Sequence, residues 1–110
     1  MKKLQSNFTT PEQSKRLLEL GVPAWTADEY LDENGLRYSL DGVLDVGLYF
    51  QSFPNDTPCW SVGRLIEIYH ICVSRGFCFN VCFPNLMNEV MYALTEANNN
   101  GWLNLSKLEE

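Results

Sequence analysis

The dipeptide Asp41-Gly42 lies between two runs in which apolar residues recur at every second position, Leu36, Tyr38 and Leu40 before it and Leu44, Val46, Leu48 and Phe50 after it. A period of two is that of a half-buried strand, and both turn residues tolerate the positive φ of a tight hairpin turn. The pattern predicts a β-hairpin that reverses at Asp41-Gly42. The following Pro54-Asn55-Asp56-Thr57-Pro58 contains two residues without an amide donor, so it predicts a loop that ends the ladder.

Cap signals place helices on either side. Thr10-Pro11-Glu12-Gln13 is a capping box with proline at the first helical position, and Gly21 is a stop, which predicts a helix from Pro11 to Leu20. Thr26-Ala27-Asp28-Glu29 forms a second such box, predicting a short helix that continues to Glu33 and is closed by Asn34-Gly35. Ser61 is placed to cap a helix running to Arg75, with Gly76 as its stop. Val62, Leu65, Ile66, Tyr69, Cys72 and Val73 trace its apolar face, which Ile68 and Ile71 widen. Phe77 to Phe83 alternates aromatic or branched residues with small or polar ones, the pattern of a third strand ended by Pro84. Asn85 begins a last helix with Leu86, Val90, Ala93, Leu94 and Ala97 inward, stopped at Asn98-Asn99-Asn100-Gly101. Trp102, Leu103, Leu105 and Leu108 then form an apolar tail that packs back. The expected architecture is α+β: a three-stranded sheet, made of the hairpin plus one further strand, covered by three to four helices. With 110 residues, 45% of them apolar, the chain holds one core, and residues 1–110 are expected to form a single globular domain.

Charge narrows the partners. Eight Lys and Arg against 14 Asp and Glu leave −6, a field that repels phosphate backbones and anionic lipid, so neither nucleic acid nor membrane is an expected partner. Met1-Lys2-Lys3 is followed by polar residues where a signal peptide needs an apolar segment, and no run approaches the ~20 apolar residues of a membrane-spanning helix. A soluble cytoplasmic protein is expected. Its four cysteines (Cys59, Cys72, Cys78, Cys82) lack any Cys-x-x-Cys pair, so they are read as reduced thiols without a metal, and no cofactor is implied.

Two surfaces carry binding chemistry. Trp60, Ser61, Gly63 and Arg64 place an aromatic, a cap hydroxyl, a small residue and a guanidinium at a helix start, a combination suited to a small anion. The bland alternative is a plain helix cap in which Trp60 fills the core and Arg64 pairs with Glu67 or with an acidic loop residue. Trp25 and Tyr30 flank the acids Asp28, Glu29, Asp32 and Glu33, and aromatics rimmed by carboxylates suit a protein partner. Tyr49, on the polar side of its run, is a further exposed aromatic. Glu67 precedes His70 by one helical turn and could orient it, with Ser74 one turn beyond, the minimum for a hydrolase. No catalytic residue is assigned from this spacing, since a solvated polar stripe is the favoured reading of it.

The segments Asn7 to Ala24 (NFTTPEQSKRLLELGVPA) and Pro58 to Ile68 (PCWSVGRLIEI), with the closing Leu105 to Glu110, resemble a family of small uncharacterised proteins encoded by human-gut anaerobic bacteria and their phages and mobile elements. The resemblance implies an intracellular accessory protein and supplies no catalytic or ligand residues. The expected function is therefore that of a small acidic, non-enzymatic interaction protein engaging a protein partner, one whose basicity or nucleic-acid-binding surface matches the charge. The alternatives are an oligomer that binds or sequesters a nucleotide at Trp60 to Arg64, and a small hydrolase.

Overall fold

The capping box at Thr10 is formed in full: its hydroxyl accepts from the Gln13 amide at 3.2 Å and the Gln13 side chain accepts from the Thr10 amide at 3.0 Å. It starts α1 (Pro11–Leu20), which Gly21 ends. The computed structural model describes residues 8–74 and 85–109. Within them a 3-10 turn (Ala24–Thr26) follows α1. Then come β1 (Glu29–Leu31), β2 (Arg37–Ser39), α2 (Val46–Ser52), β3 (Thr57–Cys59), α3 (Val62–Cys72), α4 (Leu86–Asn99) and a closing 3-10 helix (Leu105–Glu109).

The strands form an antiparallel three-stranded sheet in the order β2-β1-β3, so the fold is α+β as expected. Its strands are not the expected ones. The hairpin joins β1 to β2 with Leu31 opposite Arg37, and it turns at Asp32–Leu36. There Asp32 Oδ1 accepts from the amides of Asn34 and Leu36, both at 2.9 Å, and Gly35 takes a φ of 80°. The side chain of Asp32 thus supplies the acceptors that a tight two-residue turn would have had to supply with backbone. Gly42 does take a positive φ of 85°, but no residue other than glycine does among those described, so Asp41-Gly42 makes no primed hairpin turn.

Two predicted elements change type, each for its own reason. Residues 26–33 give a turn and a strand in place of a helix, because β1 pairs on both edges, with β2 and with β3, and six backbone partners outweigh a local capping pattern. Residues 44–51 give α2 in place of a strand. Asp45 caps it, with Oδ1 accepting from Leu48 N at 2.9 Å, and Val46, Tyr49 and Phe50 pack inward at helical spacing. Leu44 and Leu48, which the alternating pattern would bury, are 105% and 57% exposed. Pro58 stands inside β3 after all; β3 is an edge strand, where a missing amide can face away from the ladder.

The core lies among α1, α3 and α4. Leu17, Leu65, Ile68, Tyr69, Cys72, Val90 and Leu94 are buried, with Trp60 beneath them. Ile71, expected to widen the buried face of α3, is exposed. This helix also stops short of Arg75: Val73 is extended and bridges Leu103, while Cys72 O accepts from Asn104 N at 2.8 Å. The apolar tail therefore packs back onto α3 as expected. The strand read at Phe77 to Phe83, and the stop at Gly76, lie outside the described residues. No described helix is long and apolar enough to cross a membrane.

Trp60 is fully buried, and its indole N–H donates to Thr26 Oγ1 at 2.9 Å, which in turn donates to Pro23 O at 2.7 Å. Thr26→Val keeps the shape and removes both bonds, leaving the indole N–H without a partner. It is expected to cost about 1–3 kcal/mol of stability in urea denaturation, with the slope of the transition unchanged.

Candidate functional site

At the start of α3 the chain meets its own anion. The carboxylate of Asp28 accepts from Ser61 N through Oδ1 at 2.9 Å and from Ser61 Oγ through Oδ2 at 2.6 Å, and Ser61 Oγ accepts from Arg64 N at 3.1 Å. Of the four residues read as an anion site, Trp60 is buried and Ser61 holds Asp28. Gly63 is exposed, and Arg64 points away to Glu67 at 3.5 Å. The cap geometry matches the bland alternative, and Arg64 belongs to a different surface.

That surface is a cleft of about 370 Å3 along one side of α3. Arg64, Glu67, Ile68 and Ile71 are spaced by three, one and three residues, so they form a single stripe of the helix. Trp25 closes the cleft from the turn after α1, and Lys107 and Leu108 close it from the final 3-10 helix. Glu67 pairs with Arg64, and exposed His70 sets its ring edge-on to Tyr69 at 6.0 Å between centroids. Lys107 forms no salt bridge among the described residues.

The residues read as one acidic protein-binding patch are divided by the strand that replaces the expected helix. Successive residues of a strand point to opposite faces. Asp28 turns inward to Ser61. Glu29 shares a face with Cys59 and Ser39 and pairs with Arg37 at 3.7 Å, while Arg37 also lies 4.7 Å over the Phe8 ring. Burial raises the pKa of Glu29, and Arg37 opposes that rise. Tyr30 takes the other face and meets Tyr38, directly opposite in register.

On that second face the rings form a continuous ladder. Tyr38 stacks on Tyr30 with centroids 5.3 Å apart, Tyr30 lies 4.9 Å from Tyr49 of α2, and Tyr49 lies 4.8 Å from Phe53. The inner two rings are half-buried, whereas Tyr38 and Phe53 at the ends are exposed. Three carboxylates border the ladder. The nearby negative charge of Asp32 is the main cause of the raised pKa of the Tyr38 phenol. Asp56 accepts from Tyr49 Oη at 2.7 Å, and Glu33 accepts from Asn55 Nδ2 at 3.3 Å. The Tyr49 phenol is held far up, first by burial and then by the neighbouring Tyr30 phenol and by its bond to Asp56. Tyr30, Asp32 and Glu33 of the expected patch are thus together, Trp25 belongs to the cleft beside α3, and Tyr38 and Phe53 are additions.

The described thiols, Cys59 and Cys72, are free and buried, and burial raises the pKa of each. Among the described residues no group of three or more His, Cys, Asp and Glu side chains is placed to hold a metal ion. No family model, curated protein or solved structure matches the chain.

If Asp28 is a structural counter-charge, Asp28→Ala should destabilise the fold by about 2 kcal/mol or more, since hydrogen bonds to a charged group contribute roughly 1.5–3 kcal/mol. Glu33→Ala, on an exposed residue, should change stability by less than about 0.5 kcal/mol. Denaturant midpoints of the two variants measure the contrast.

Proposed function

We propose that the chain is a small, non-enzymatic interaction protein of the cytoplasm, an accessory of a phage or mobile element, whose aromatic ladder docks a basic protein partner. The reading rests on the ladder from Tyr38 through Tyr30 and Tyr49 to Phe53, with Asp32, Glu33 and Asp56 along its border. Rigid aromatics supply contact area at little entropic cost, and interfaces are enriched in them. Because ring stacking already fixes the inner rings, a partner has only the end rings, Tyr38 and Phe53, to immobilise. The carboxylates add steering for a cationic partner, in keeping with a net charge of −6.

Neither Asp32 nor Glu33 is needed for the sheet pairing itself, although Asp32 holds the turn through its Oδ1. Charge reversal is therefore best placed at Glu33, combined with Phe53→Ser at the exposed end of the ladder. Tagged protein expressed in its own host should retain a basic partner that is released as salt is raised, and Glu33→Lys with Phe53→Ser should lose it while melting normally. Retention of the same partner by the folded double variant would overturn the assignment of this surface.

A further inference from the structure

We infer that the cleft beside α3 is a binding site for a small planar anion built like a nucleoside monophosphate, held between Trp25 and the cations Arg64 and Lys107. The site is separate from the aromatic ladder and does not depend on the protein-partner reading. Its volume of about 370 Å3 lies within the roughly 300–1,000 Å3 that small-molecule sites span. Its walls come from three separated segments, the turn at Ala24–Thr26, the stripe of α3 and the closing 3-10 helix, which the fold holds together independently of any ligand. The closing helix is fixed to α3 by the Val73–Leu103 bridge and by the bond from Asn104 N to Cys72 O.

The chemistry of the lining divides by function. Trp25, within the 3-10 turn, is 44% exposed, and exposed Ile71 with half-buried Leu108 continues its apolar surface, a platform for a flat ring. Arg64 and Lys107 face the same space. Two cations less the one carboxylate of Glu67 leave the cleft at +1 inside a chain of −6. A local reversal of sign against the field of the whole molecule selects a ligand that carries its negative charge in one compact group. Glu67 now holds Arg64 at 3.5 Å, but both side chains are exposed, at 67% and 43%, and such pairs contribute little. An incoming anion can take the guanidinium, and the released Glu67 carboxylate becomes an acceptor for hydroxyl or amino donors on the ligand. The larger opening near Pro58, of about 410 Å3, sets Lys15 against Asp56 and offers no such excess of positive charge.

Titration calorimetry and tryptophan fluorescence with the common ribonucleoside monophosphates, the matching nucleosides and inorganic phosphate test the inference. At least one monophosphate should bind saturably and quench emission, at least about tenfold more tightly than its nucleoside or phosphate alone, as expected when ring and anion are held together. Lys107→Ala should weaken that binding about tenfold, Arg64→Ala similarly, and Trp25→Leu should abolish the quench, while Lys15→Ala leaves binding unchanged. Lys107 and Trp25 are exposed, so their variants fold even if loss of Arg64 proves structural. Absence of saturable heat with every monophosphate overturns the site. So does equal affinity for nucleoside and monophosphate, or binding indifferent to Lys107→Ala. Loss of this binding together with unaltered capture of a protein partner would leave the ladder assignment untouched.

Discussion

A tryptophan ring without any contact with water is stable only where its N–H is satisfied, and the bond from Trp60 Nε1 to Thr26 Oγ1 meets that demand. The same residue carries a second constraint through its backbone. Its amide donates to Thr9 Oγ1 at 3.1 Å, its carbonyl accepts from Thr9 N at 3.0 Å, and Thr9 Oγ1 is 2.7 Å from the buried Ser14 hydroxyl of α1. One residue therefore fastens the segment entering α1, the turn carrying Trp25, and the passage from β3 to α3. The next residue, Ser61, adds Asp28 to the same junction. Burying this many polar groups is favourable only because they satisfy one another, which gives the junction a single arrangement.

From that junction the faces of the sheet follow. Asp28 N donates to Cys59 O and Leu40 N donates to Asp28 O, so the first residue of the strand segment is already in register on both sides. Once Asp28 is committed inward, the alternation of β1 sends Glu29 toward Arg37 and Phe8, and Tyr30 toward Tyr38 and α2. The ladder thus follows from the register of β1, which the bonds at Asp28 begin on both edges. Its inner rings stay half-buried because α2 lies over them, and α2 is held there by Tyr49, which contacts Tyr30, Phe50 and Phe53 and bonds Asp56.

The three longer helices, α1, α3 and α4, were legible in the sequence because their signals are local, whereas α2 was read as a strand. Thr10, Ser61, Asn85 and the apolar stripes they open on each specify a helix within one or two turns, and α1 and α4 have the expected ends. The sheet was not, for two physical reasons. Three-residue strands are too short to show an alternating period, and Glu29–Leu31 is a strand only because two distant segments flank it. Conversely, the alternation of Leu44 to Phe50 is real as spacing but false as burial, since Leu44 and Leu48 are counted in it and remain exposed. The site inherited the error: acids grouped as one helix face were divided among the junction, the far face of the sheet and the ladder. Tyr38 could have been found by pairing it with Tyr30 across Asn34-Gly35. Lys107 gave no signal, because only the return of the chain end onto α3 brings it beside Arg64.

The two surfaces differ in sign yet share a support. α2, which carries Tyr49 and Phe50, packs against the 3-10 turn that carries the Trp25 wall of the cleft. Thr26 of that turn is bonded to Trp60 and cannot shift without breaking the bond to the indole. Trp25, which its position in the sequence grouped with the acids of one patch, is thus a wall of the cleft beside α3, held in place by the turn that Thr26 ties to Trp60.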